Sequence, residues 1–158
     1  MAKAKHFMSV AELHKKTAEF RAVCTRAGLR ITPQRVAVYQ ALIKSKRHPP
    51  AEIVCRTVRK TLPNISLDTV NRTLLKFVKI GVASVLPGSG DPKRFDGQTS
   101  NHHHFKCTKC GRIIDLDCEP FENIRIPASI TRKYSVTRKT VYLEGVCDSC
   151  KSANRQRA

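Results

Sequence analysis

The chain has 158 residues, 41% of them hydrophobic, with 30 Lys/Arg against 12 Asp/Glu and a formal net charge of +18. That length allows one domain or two small ones, and the charge exceeds what solubility needs and points to a polyanion such as nucleic acid. No apolar run reaches the ~18 residues of a membrane span, and MAKAKHFMSV lacks the apolar stretch of a secretory leader. A cytoplasmic protein with reduced thiols and no membrane partner is therefore expected.

The charge is uneven. Residues 1–80 hold 17 Lys/Arg against 4 Asp/Glu, and residues 81–158 hold 13 against 8, so the front half faces the polyanion. Ser9-Val-Ala-Glu12 has capping-box spacing and opens a helix that Gly28 ends near Ala27. Thr32-Pro33 starts a second helix, to about Lys44, with Val36, Val38, Leu42 and Ile43 toward a core. His48-Pro49-Pro50 breaks the chain, and a third helix is predicted from about Ala51 to Thr61, before Pro63. Ser66 caps a fourth, Leu67 to Ile80. Its Val70, Leu74, Phe77 and Val78 form an apolar stripe, while Arg72, Lys76 and Lys79 share another face.

VASVLPGSGDPKRFDG reads as two short strands around a Gly/Pro/Ser/Asp turn, a β-hairpin. Short helices, the last one basic, followed by a hairpin make a winged helix-turn-helix, whose last helix enters the major groove. Thr69, Asn71 and Arg72 are then candidates for base edges and Lys76 and Lys79 for phosphates; the plain alternative is a solvated basic face. Beyond residue 95 the pattern turns to strands in HHFKCT, GRIIDLD and TVYLEGVC, with an irregular helical stretch near Phe121–Tyr134 that Pro127 interrupts. The fold class is α+β: a winged helix-turn-helix domain over residues 1–88, a hinge at 89–95, and a small α/β domain over 96–158.

Cys107-x-x-Cys110 and Cys147-x-x-Cys150 are matched knuckles separated by 36 residues. Zinc favours four thiolates in a tetrahedron, and a two-residue gap lets one tight turn present two sulfurs. Gly111 and Gly145 suit such turns. Structural zinc is the expected occupant, against two unrelated pairs, one of them redox-active. Cys24, Cys55 and Cys118 lack partners at ligand spacing and read as buried small hydrophobes.

His102 and His104 share one face of a strand and His103 takes the other. With Asp96 upstream and Asp115 on the next strand-like run they offer a mixed nitrogen and oxygen site suited to Fe²⁺, Mn²⁺ or Zn²⁺. The residues alone leave that reading open beside a solvated His-rich loop, and His48 before Pro-Pro reads as a turn residue.

These motifs converge. GLRITPQRVAVYQAL, HPPAEIV, ISLDTVNRTL, RFDG, HHHFKCTKCGRIIDL and VYLEGVCDSC occur in the order found in the ferric-uptake-regulator (Fur) family, which the chain resembles over roughly residues 20–150. The resemblance implies a metal-dependent repressor, homodimeric through its C-terminal α/β domain, that binds a double-stranded DNA operator and holds structural Zn²⁺ on four cysteines. Carried over by position, the regulatory metal, Fe²⁺ or Mn²⁺, would use His48, Asp96, His102, His104 and Asp115. Aspartate at 115, where iron-uptake regulators typically have glutamate, resembles the peroxide-sensing branch. Two departures stand out. Asn71 replaces a usual tyrosine, and an additional metal site of some members falls on Asn101, His103, Glu122 and Lys139, where a lysine would repel a cation; that site is expected to be absent or altered.

The implied function is a repressor that senses peroxide through Fe²⁺-catalysed oxidation of a ligand histidine, His48 or His102, and then leaves its operator. Ligands split between two domains let a metal bias the angle between them, and with it the spacing of two recognition helices on half-sites about 34–36 Å apart. This is a one-time modification, not turnover, so no enzyme is implied. The alternative within the fold is an iron, manganese or zinc uptake regulator that reports metal concentration. A non-haem iron oxygenase would need an apolar substrate pocket that nothing in the sequence marks, and a zinc-ribbon RNA-binding protein would leave the Asp/His set idle.

Overall fold

The structure, a computed structural model, describes residues 8–45, 47–86 and 92–155. It divides into two compact units, Met1–Thr99 and Ser100–Ala158.

The first unit is built on four helices: α1 (Val10–Arg26), α2 (Pro33–Lys44), α3 (Ala51–Val58) and α4 (Leu67–Lys79). Their starts follow from local chemistry. The Ser9 hydroxyl accepts the Glu12 N–H while the Glu12 carboxylate accepts the Ser9 N–H, a reciprocal capping box. The Thr32 hydroxyl accepts the Arg35 N–H with Pro33 in the first turn, and the Ser66 hydroxyl accepts the Thr69 N–H. Gly28 and Gly81 take positive φ, +64° and +77°, where a side chain would be strained, and so close α1 and α4. Helix α3 stops short of the expected Thr61. The N–H groups of Lys60 and Thr61 turn to carbonyls three residues back, Thr57 and Val58, and the last turn tightens out of α geometry.

An aromatic trio anchors the core. Phe20 stacks on Tyr39 at a ring-centroid distance of 4.2 Å, and Phe77 meets Phe20 edge-on at 5.1 Å. Val38, Leu42, Val54, Val70 and Leu74 complete it, all fully buried. From α4 the chain enters β1 (Ser84–Val85), which pairs antiparallel with β2 (Phe95–Asp96), Ser84 opposite Asp96. The hairpin's turn, residues 87–91, lies outside the described residues.

The unit boundary differs from the expected hinge at 89–95. Strand β2 pairs with β1, and Gly97 lies so close to the end of α2 that a Cβ there would come within 2.9 Å of Ile43. Asp96 thus belongs to the first unit, and the division falls after Thr99.

In the second unit β3 (His103–Cys107) lies between β4 (Ile113–Leu116) and β5 (Tyr142–Gly145), antiparallel to β4 and parallel to β5. The expected helical stretch between β4 and β5 is two single turns, α5 (Glu119–Glu122) and α6 (Ala128–Thr131). Pro127 supplies no N–H and pushes Ile126 away from helical geometry, which separates them. Helix α7 (Asp148–Arg155) follows β5.

Phe77 is fully buried among these rings. Phe77→Ala is expected to destabilise the first unit by about 3–5 kcal/mol in chemical denaturation; a loss below about 1 kcal/mol would show that the aromatic trio is not what holds the helices together.

Candidate metal centres and nucleic-acid interface

The parallel pairing of β3 with β5 sets Cys107 opposite Gly145, which brings the end of β3 beside the start of α7. Cys110 follows a tight turn that Gly111 closes at φ +67°. Cys147 precedes α7, and Cys150 lies in its first turn. The four sulfurs all lie within 4.8 Å of one another, and Cys110 Sγ is 3.8 Å from Cys147 Sγ. A tetrahedral zinc with Zn–S bonds of ~2.3 Å sets its sulfurs ~3.8 Å apart, the separation of the Cys110 and Cys147 sulfurs, so the cluster suits that ion. Gly145 serves differently from the expected turn: it is a strand residue, and a Cβ there would approach the Phe105 ring to 3.2 Å.

Protons are shared unequally among these thiols. Cys107 Sγ accepts the Cys147 N–H at 3.3 Å. That bond, with a second from the Cys110 N–H, lowers its pKa to about 6. Cys150 is pushed up to about 12, chiefly by hydrogen bonding with the Cys147 and Cys110 thiols. Cys24 and Cys55 are buried in the first core, and burial raises the Cys24 pKa. Cys118 departs from the expectation of a buried hydrophobe. It is half-buried at the N-cap of α5, outside the core.

Antiparallel register sets Asp115 directly opposite His104. His102, just before β3, presents its ring on the same side, 4.5 Å from that of His104. The Nε2 atoms of His102 and His104 converge on one oxygen, Asp115 Oδ1, at 3.7 and 3.8 Å. These separations exceed a hydrogen bond, yet two ligands ~2.1 Å from one ion stand at most ~4.2 Å apart. The Nδ1 of His102 lies 2.8 Å from the Ser100 carbonyl. It must donate there, which leaves the Nε2 lone pair directed toward Asp115, the arrangement that orients metal-binding histidines.

His103 points elsewhere. Its Nδ1 accepts the Val141 N–H at 3.1 Å, and its ring meets Phe121 edge-on at 5.5 Å. It is a core histidine. Nearby, the Lys139 ammonium donates to the carbonyls of Glu122 and Ile124.

In the first unit His48 Nε2 stands 3.9 Å from Asp96 Oδ2, and both side chains are buried. Asp96 Oδ1 accepts the Gln98 N–H at 2.8 Å, which leaves Oδ2 for the imidazole. His48 takes φ +46°, its carbonyl accepts from Arg94 Nη1, and the Phe95 N–H donates to the Pro49 carbonyl. Of the other residues that shape this site, Arg94 and Gly97 lie within the RFDG motif, whereas no motif marks Gln98 or Ser100.

On α4, Asn71, Arg72, Lys76 and Lys79 are exposed on the face away from the buried stripe. Arg72 pairs with Asp68 one turn back at 2.6 Å. Thr69 differs, because its hydroxyl lies 2.8 Å from the Ser66 hydroxyl and takes part in the cap. Among the described residues no helix is long and apolar enough to cross a membrane.

A capped, basic-faced α4 followed by a two-stranded wing, a four-cysteine cluster and a His/Asp group define a metal-responsive regulator. The family model for the ferric uptake regulator family matches residues 26–145, and the chain belongs to that family. Among curated relatives it is 36% identical over 140 residues to the peroxide-responsive repressor PerR of Staphylococcus epidermidis, covering 89% of this chain and 91% of that one. The PerR of Staphylococcus aureus strain Mu50 is 35% identical over 139 residues, covering 88% and 91%. The fold is also that of the Helicobacter pylori ferric uptake regulator Fur, with a TM-score of 0.71 at 24% identity over 88% of this chain and 93% of that one. The Vibrio cholerae regulator gives 0.66 at 25% identity over 81% and 99%.

Because Cys107 is already a thiolate above pH about 6, it surrenders no proton to zinc at neutral pH. Proton release per zinc bound is expected to rise by about one as the pH falls from about 7.5 to below about 6. A constant release in buffered titrations would show that Cys107 is still a thiol at neutral pH.

Proposed function

We propose that the chain is a homodimeric, metal-dependent transcriptional repressor that binds a double-stranded DNA operator and releases it on exposure to peroxide. The observation that carries this reading is the convergence of the His102 and His104 Nε2 atoms on Asp115, in a chain 36% identical to a peroxide-responsive repressor. Cys107, Cys110, Cys147 and Cys150 would hold a structural Zn²⁺. His48 and Asp96 from the first unit would join His102, His104 and Asp115 from the second on one regulatory Fe²⁺ or Mn²⁺.

Donor chemistry supports that division. Soft thiolates suit zinc, whereas imidazole with carboxylate suits Fe²⁺ or Mn²⁺ and leaves room for reaction. Ligands drawn from both units would make metal binding favour one arrangement of the DNA-reading helices, with Asn71 and Arg72 at base edges and Lys76 and Lys79 on phosphates. Thr69 would assist as part of the cap. Bound Fe²⁺ would supply redox catalysis for cleaving the O–O bond of hydrogen peroxide beside its ligands. With peroxide as the two-electron oxidant, one of its oxygens would end on an imidazole carbon of His48 or His102 in place of the ring hydrogen and the other would leave as water, and the altered ring would bind metal less well. The chain is consumed as a sensor and turns nothing over.

The anaerobically purified dimer is expected to carry one zinc per chain and to need iron or manganese for tight binding of its operator; operator binding unaffected by removal of the second metal would rule the reading out. Peroxide treatment of the iron form should add one oxygen to a peptide holding His48 or His102 and release the DNA, as read by mass spectrometry beside a binding assay. Retained DNA with unmodified histidines would instead identify a regulator that reports metal concentration.

A further inference from the structure

The conformation of His48 needs an explanation. Its φ of +46° lies in the left-handed region, and it precedes Pro49. Non-glycine residues seldom adopt positive φ, and a residue before proline prefers extended backbone. The surrounding structure must therefore hold this residue against its own preference. Held backbone of this kind points to a side chain that has to be aimed.

The holding contacts come from the strand that also carries Asp96. Phe95 N–H donates to the Pro49 carbonyl at 3.1 Å, and Pro50 bridges to Arg94. Both act on the residues after His48. The Arg94 guanidinium acts on His48 itself: Nη1 donates to its carbonyl at 3.4 Å. Arg94 is in turn tied to the residue just after β1, where its carbonyl accepts the Leu86 N–H at 3.1 Å. One residue thus links the wing to the His48 peptide, two positions before the aspartate that His48 faces at 3.9 Å.

We propose that Arg94 is a positioning residue for the regulatory metal: its guanidinium holds the His48 peptide in the left-handed conformation and so presents the imidazole beside Asp96. It acts through His48 and touches no metal. A half-buried guanidinium suits this role, since it is always charged and its planar donors reach a carbonyl from a fixed frame. Without it His48 relaxes toward extended backbone and the Nε2 atom swings away from the carboxylate. The inference rests on the proposed reading of His48 and Asp96 as ligands.

The test is a double-mutant cycle on the full-length, zinc-loaded dimer, with Mn²⁺ affinity as the readout. Arg94→Ala is expected to weaken Mn²⁺ binding about 10–100-fold, as loss of an outer contact to a ligand does, with zinc content unchanged. In a His48→Ala background the same substitution should change affinity less than about twofold, because its target is gone. Arg94→Lys, which keeps a charged donor on a flexible stem, should fall between wild type and Arg94→Ala, and it carries the comparison should the alanine variant fail to fold. Equal losses with and without the His48 side chain, or no loss in either Arg94 variant, would overturn the assignment. If His48→Ala alone leaves Mn²⁺ affinity untouched, it is the ligand reading that fails.

Discussion

The position of β3 between two partners governs the second unit. Its register with β4 sets Asp115 opposite His104, and its register with β5 sets Cys107 opposite Gly145. One five-residue strand therefore carries one proposed centre at its start and the other at its end, separated by ~10 Å at 3.3 Å per residue. The parallel pairing matters most. Parallel strands need a long crossover, here the segment holding α5 and α6, and that segment contributes no fully buried apolar residue. A zinc held by the four sulfurs gathered where β3 and β5 end would supply the closure that packing does not.

The same economy explains the histidine triplet. Alternation along a strand sends His104 to the face of Asp115 and His103 into the core, where the Val141 N–H and the Phe121 ring receive it. A smaller residue at 103 would leave a void against the Phe121 ring of α5. His102 lies just outside the strand and is turned back to the side of His104 by its bond to Ser100.

Much of the fold was legible because its signals are local. Ser9-to-Glu12, Thr32-Pro33 and Ser66 act within one turn, so three helix starts were readable from adjacent residues. The cysteine knuckles were legible for a similar reason, since spacing alone restricts how two thiols can face one ion. What escaped depends on contacts distant in sequence. Gly145 looked like a turn glycine, yet its small size serves the Phe105 ring forty residues away. Asp96 looked like the start of the second domain, but its pairing with Ser84 binds it to the first. Cys118 resembled a core thiol until the break into α5 left it half-covered. The positive φ of His48 leaves no trace in composition or periodicity. Only its proximity to proline hinted that the backbone there was unusual.

The ion pair between Asp68 and Arg72 has an effect of its own. Both side chains are about two-thirds exposed, so their attraction is weak, ~0.3–0.5 kcal/mol, and fades as salt is added. While it lasts, it narrows the rotamers of a long side chain whose freedom is otherwise worth up to ~2 kcal/mol. In the proposed operator complex, ionic strength would then reach α4 twice: it would screen the lysines assigned to phosphates, and it would loosen the arginine before any base is met.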